Sequence, residues 1–168
     1  SDDRQPLYLI ACPGRTSHGV LGSARKYLTR TPATPMKRYD PVNVGVEASY
    51  EPLADLYDDV FQDIRVRSDE WSWLDARVPH DRDLRVLDIG CGNGALLHAL
   101  GPRIGHGVGV DTSAAMLSKA QERCPGPGFE FHTVDGPRLP IPDGSIDLAI
   151  SLLSFRYLDW DPIMAELR

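Results

Sequence analysis

No apolar run in the 168 residues approaches the ~20 needed to cross a bilayer, so no membrane anchor is expected. The longest early stretch, "PLYLIAC" at 6–12, is too short, and no basic segment precedes it as a signal peptide would require. Cysteine is sparse: Cys12, Cys91 and Cys124 stand far apart without a CxxC pair, which excludes a zinc knuckle or a disulfide framework. Free thiols in a reducing cytoplasm are the expectation, and the location expected is cytoplasmic. The five histidines (18, 80, 98, 106 and 132) lack ligand spacing and read as surface or loop residues, so no metal is expected. Positive charge is also short. The net charge is -6, made of +4 over residues 1–40, -7 over 41–83 and -3 over 84–168. An acidic body argues against a nucleic-acid partner, because phosphate binding needs clustered cations.

What remains is an ordinary globular composition, 42% apolar and 25% charged, at a length that suits one domain. Residues 1–46 carry prolines and glycines with little periodicity and read as a partly ordered N-terminal arm, in which "YLIAC" could form a short strand. Residues 47–82 read as a helical cap. Over 49–65, Tyr50, Leu53, Tyr57, Val60, Phe61 and Ile64 recur at spacings of three and four, with Ser49 as cap. Asp55, Asp58, Asp59 and Asp63 then form a solvated acidic face. A second helix fits 69–78, capped by Ser68.

From residue 83 to 168 the pattern alternates. Strands fit 84–89, 107–111, 129–134 and 145–151; helices fit 94–100, 113–124 (capped by Ser113) and from about Asp161. Gly101 and Pro102 would end the first of these helices. Strands this apolar on both sides imply a parallel sheet covered by helices. No internal repeat is visible.

The first strand runs into "DIGCGNG", where Gly90, Gly92 and Gly94 permit a sharp turn and close backbone approach to a ligand. Ligands of doubly wound sheets bind at the carboxyl ends of the strands. The loose G-x-G-x-x-A pattern would admit a dinucleotide, but Asp88 beside a pyrophosphate is unfavourable. A ligand bearing cations, such as S-adenosyl-L-methionine, suits it better. Asp111, at the end of the second strand, can take ribose hydroxyls, with Thr112 beside it. Asp135, after the third strand, can accept from an adenine amine. Met116 lies either against the adenine or in plain helix core.

The runs "VLDIGCGNG", "GVDTSAAMLSKAQER" and "VDGPRLPIPDGSIDLAIS" together resemble the class I S-adenosylmethionine-dependent methyltransferases of the type 11 or UbiE-like group, over residues 84–168. The resemblance implies an α/β fold, a Rossmann-like doubly wound parallel sheet with strand order 3-2-1-4-5-7-6. It implies that Asp88, Gly90, Gly92 and Gly94 surround the methionine part of the cofactor, with Cys91 and Asn93 contacting it through backbone. By the same resemblance Asp111 holds the ribose, Asp135 the adenine with Gly136 beside it, and Ser151 stands near the transferable methyl. The helix bearing Tyr50 and Tyr57 would close over the site. The reaction implied is methyl transfer to an O, N or C atom of a small-molecule acceptor, leaving S-adenosyl-L-homocysteine.

Two departures stand out. "SLLSFRYLDWD" follows the fourth strand where the family often has a histidine-containing run, so a catalytic base stays unassigned; Arg156 and Tyr157 either orient an acceptor or cover the sheet's end. The chain stops at "AELR" with the C-terminal strands missing. The expectation is therefore a bare, apolar strand-four edge covered by a second copy or another chain, with an extra strand from "PLYLIAC" as the less favoured cover, and the alternative function is a catalytically incomplete S-adenosylmethionine-binding module needing a partner.

Overall fold

A computed structural model describes residues 8–11, 54–136, 138–152, 154, 162–163 and 166–167. Cys12, His18, Ser49, Tyr50, Arg156 and Tyr157 lie outside the described residues. The elements are β1 (Tyr8–Ala11), α1 (Ala54–Val60), a 3-10 turn (Ile64–Val66), α2 (Ser68–Asp75), β2 (Asp81–Ile89), α3 (Ala95–Leu100), β3 (Ile104–Asp111), α4 (Ala114–Arg123), β4 (Phe129–Thr133) and β5 (Leu148–Ser151). Pro162, Ile163 and Glu166 have helical backbone.

One sheet carries the fold, in the order β1-β5-β2-β3-β4. Strands β4, β3, β2 and β5 are mutually parallel and reproduce the expected 3-2-1-4 order. The β5 edge is not bare, contrary to expectation. β1 runs antiparallel along it, with Tyr8 opposite Ser151 and Ala11 opposite Leu148. Strand pairing gives the β5 backbone groups partners within this same chain.

Alternation along the strands feeds two cores. Val86, Ile104, Leu148 and Ile150 face Leu96, Leu97 and Leu100 of α3 and Leu74 of α2. Leu87, Val108, Val110 and Ala149 face the other way, toward Leu139, Ile146, Ile163 and Leu167. Both faces are therefore covered, as near-continuous apolar strands require.

Several boundaries differ from the periodicity. β2 begins three residues early, because the Asp81 amide bonds the Arg103 carbonyl (2.9 Å) and a register shift follows before Arg85. A Cβ on Gly105 would lie 1.7 Å from the Arg82 carbonyl oxygen, so the irregularity needs glycine. Gly107 and Gly109 continue the series on alternate residues; a Cβ there would meet the rings of Phe129 and Phe131 at 2.7 and 2.6 Å. This face of β3 is left to those two rings and Leu97.

Ser68 is the first residue of α2, not its cap; Arg67 occupies the cap position and bonds Glu70 (3.0 Å) instead. Gly101 ends α3 as expected, and does so with right-handed helical angles (φ -47°). Its smallness matters more than its freedom, because a Cβ would stand 3.2 Å from the Phe129 ring. Ser113 caps α4 as expected, its hydroxyl accepting from the Met116 amide (3.2 Å). The buried Arg103 pins the end of α2, donating to the Asp75 carboxylate and to the Asp75 and Val78 carbonyls, with the Trp71 ring over it at 5.3 Å.

Leu97 is fully buried between α3 and β3. Replacing it with alanine is expected to cost about 2–5 kcal/mol, read as a lower urea midpoint at unchanged slope.

Candidate functional site

Three alternate left-handed residues shape the turn after β2: Gly90 (φ +75°), Gly92 (φ +51°) and Gly94 (φ +75°). A side chain at any of them would be strained. The turn is fastened to β3. The Gly90 and Cys91 amides both bond the Val110 carbonyl (2.8 and 3.0 Å), and the Gly92 amide bonds Asp111 Oδ2 (2.8 Å). Asp111 Oδ1 accepts from the Ser113 amide (3.0 Å). These two bonds occupy part of the carboxylate's capacity of about four lone pairs and leave the rest for a ligand.

A small open cleft lies over this turn. Asp88, Gly90, Gly92 and Leu152 form its floor, and Tyr57, Phe61 and Ile64 line it from α1 and the 3-10 turn. The Tyr57 and Phe61 rings stack at 4.7 Å, tilted by 40°. Asp63 and Arg67 also line the cleft.

Asp88 is 2% exposed, and its carboxyl is pushed up to about 8, first by burial and then by the negative charge of Asp111. A protonated or cation-starved carboxyl on the floor of a cleft is a place for a positively charged group. The two described cysteines are thiols at neutral pH. Burial, then the Asp88 and Asp111 charges, push Cys91 well above the ordinary thiol range, and burial pushes Cys124 up to about 11. Neither has thiolate character for nucleophilic work.

The structure brings Asp88, Gly90, Cys91, Gly92, Asn93 and Gly94 to the cleft or its immediate turn, with Asp111 bonded to them. Thr112 is exposed beside Asp111. Met116 is buried; its terminal methyl stands 3.4 Å from where a Gly92 Cβ would be, so it packs beneath the turn. Asp135 and Gly136 are exposed past the end of β4, outside the cleft lining; the Val134 amide, bonded to the Asp111 carbonyl (3.0 Å), sets them at the same end of the sheet. Ser151 is fully buried, its hydroxyl on the Ile89 carbonyl (3.1 Å).

The sequence reading did not single out Ser154, Arg123 or Arg67, and gave the Asn93 side chain no role. Ser154 Oγ lies 2.6 Å from Ser151 Oγ and 2.7 Å from the Ile89 carbonyl, and its Cβ would stand 2.3 Å from a Cβ on Gly90. Asn93 was expected to act through backbone, yet its buried side chain donates to Asp58 Oδ1 (3.0 Å) and the Phe61 carbonyl (3.1 Å). Arg123 donates to Asp58 (2.7 Å) and to the Asn93 carbonyl. Arg67 faces the cleft from the α2 cap position. The acidic face of α1 is consequently not all solvated: Asp55 pairs with Lys119 (2.7 Å) and Asp58 with Arg123. Asp58 is held below the ordinary carboxylate range: burial opposes this, and the bonds from Arg123 and Asn93 outweigh it. Only their i, i+4 spacing within "KAQER" hinted that Lys119 and Arg123 share a face of α4.

Residues 86–168 match the family described as Methyltransferase domain. Among relatives, the chain is 48% identical over 56 residues to trans-aconitate 2-methyltransferase of Rhodopseudomonas palustris, a match covering 32% of this chain and 22% of that protein. It is 36% identical over 81 residues to the 18S rRNA (guanine-N(7))-methyltransferase of Bos taurus, covering 48% and 28%. The chain thus spans less than a third of the length of either. A solved complex between the Haloferax volcanii Trm112 methyltransferase activator and a methyltransferase superposes with a TM-score of 0.56 at 28% identity, covering 68% of this chain and 53% of that one.

The raised Asp88 carboxyl sets a pH signature. The folded chain holds that proton up to about pH 8, whereas the unfolded chain releases it near the ordinary value of 3.8. Stability from this group is full below about pH 4 and is lost as pH rises through about 8. The urea midpoint should fall across that window, and Asp88→Asn should flatten the fall; an equal fall in the variant would assign it to other groups.

Proposed function

Because the chain belongs, through residues 86–168, to the class I S-adenosylmethionine-dependent methyltransferases, we propose that it transfers a methyl group to an O, N or C atom of a small-molecule acceptor. The observation that carries this reading is the buried, cation-starved Asp88 on the floor of a cleft rimmed by left-handed glycines. That site suits a ligand bearing ammonium and sulfonium groups and no phosphate. S-adenosylmethionine supplies an already activated methyl, so the protein's task is binding and orientation.

On this reading Asp88 receives the positively charged methionine end. Gly90, Gly92 and Gly94 present bare backbone to it, with Cys91 and Asn93 between them. The free lone pairs of Asp111 take the ribose hydroxyls, with Thr112 alongside. Asp135 and Gly136 receive the adenine at the exposed end of β4. Met116 supports the turn from below, and Ser151, with Ser154, fixes the Ile89 carbonyl beside Gly90. Tyr57 and Phe61 cover the ligand from α1.

A small acceptor is favoured by the net charge of -6, which gives a poor surface for nucleic acid. The acceptors named for the relatives differ, one a small acid and one an rRNA guanine, and neither is carried over to this chain. The Haloferax complex favours a second reading, in which the chain binds the methyl donor and works with a partner chain. Donor binding without turnover on any acceptor, and turnover once a partner is added, would distinguish it.

Titration calorimetry with S-adenosylhomocysteine tests the site. Micromolar binding is expected, weakened about a hundredfold or more in Asp111→Ala, since that change removes two charged hydrogen bonds to the ribose of ~1.5–3 kcal/mol each. Binding near pH 7 should also release a proton, because the ligand ammonium restores the charged form of Asp88. Titrations in buffers of different ionisation enthalpy would show it, and Asp88→Asn should abolish it.

A further inference from the structure

The side chain of Asn93 does something that a variable position in a glycine turn has no need to do. It is 3% exposed, and each polar atom of its side chain has a named partner. The two N–H bonds of Nδ2 go to Asp58 Oδ1 (3.0 Å) and to the Phe61 carbonyl (3.1 Å), both of which can only accept. This fixes the amide orientation, since the flipped amide would set oxygen against two oxygens. The remaining oxygen accepts from the Ala95 amide (3.3 Å), at the start of α3. One side chain therefore joins the turn, the first residue of α3, and Asp58 and Phe61 at the C-terminal end of α1, directly after Tyr57.

Arg123 closes the arrangement from α4, donating to Asp58 Oδ1 (2.7 Å) and to the Asn93 carbonyl. Its side chain and that of Asp58 are 14% and 20% exposed, so water screens this pair less than the neighbouring Asp55–Lys119 pair, whose carboxylate is 90% exposed. Tyr57, next to the first anchor, and Phe61, the second, line the same cleft as Gly90 and Gly92. A ring carbon of Tyr57 lies 4.0 Å from where a Gly92 Cβ would be. Nothing about the turn as a backbone cradle requires these bonds; they set where the aromatic wall stands relative to it.

We propose that Asn93 is a positioning residue that clips α1 to the glycine turn through Asp58 and the Phe61 carbonyl, so that ordering of the turn by the methyl donor and closure of the Tyr57–Phe61 wall are a single event. This rests on the methyl-donor reading of the cleft.

Hydrogen exchange of the full 168-residue chain, with and without S-adenosylhomocysteine, tests it alongside calorimetry. In Asn93→Ala without ligand, amides of residues 54–61 should exchange about tenfold faster or more, the equivalent of one lost hydrogen bond to a charged group, while those of β2 and β3 keep their protection. With saturating S-adenosylhomocysteine the wild type should protect both 90–95 and 54–61. The variant should protect 90–95 alone and bind about tenfold more weakly. Asp58→Ala, on the outer helix, should reproduce these losses and carries the test should Asn93→Ala fail to fold. In the double variant the two losses in affinity should not add. Unchanged exchange at 54–61 in the variants overturns the clip, and faster exchange with unaltered affinity overturns its coupling to the ligand. The ligand-free comparison involves no donor, so failure there strikes the clip alone; absence of any binding by the wild type strikes the methyl-donor reading and the coupling with it.

Discussion

The bond from the Gly92 amide to the Asp111 carboxylate is the constraint around which the site is organised. It ties the second of three left-handed residues to the end of the neighbouring strand, and the other oxygen of the same carboxylate starts α4 through the Ser113 amide. β2, β3 and α4 are thereby referred to one group. Without it, a turn of alternate glycines would have every reason to wander, since glycine loses the most conformational freedom on folding. The Val110 carbonyl adds a second tether through Gly90 and Cys91. The Asp111 carboxylate is thus held in place by the backbone of the turn and of α4.

That rigidity has an electrostatic cost. Burial first, and then the negative charge of Asp111 set nearby, push the Asp88 carboxyl up to about 8, so it is largely protonated near neutrality. A cation beside this carboxyl would favour its charged form. Binding energy and preorganisation come from the same pair of residues, an arrangement in which stability of the free chain is traded for complementarity to a charged guest.

Much of this was legible in the sequence, for identifiable reasons. Strands buried on both faces announce themselves as apolar runs, and alternation of strand and helix points to a parallel sheet, so β2 to β5 followed from pattern, while their order came from the family resemblance. Ser113 was readable as a cap because capping is local. What escaped depended on contacts between distant segments. The antiparallel pairing of Tyr8–Ala11 with β5 joins residues about 140 apart, and four apolar residues alone cannot say what they pair with. Asp58 and Arg123 are 65 apart, and each taken singly is an ordinary surface charge on a helix. Asn93 was legible as part of a motif, but only the position of α1 gives its side chain a purpose. Ser154 follows the same rule: its place is defined by the Ile89 carbonyl, 65 residues earlier.

The glycines at 105, 107 and 109 strip one face of β3 of side chains, and the rings of Phe129 and Phe131 fill the room this leaves. The middle of the sheet is thus insulated by an outer strand. β4 is at once the last strand of the sheet and the cover for its neighbour's backbone, and it ends two residues before Asp135. Fraying at this margin would wet the amides of β3 and displace Asp135 and Gly136 together. The placement of these two residues is therefore tied to the dryness of an interior strand, and a purely surface substitution along β4 has a lever on both.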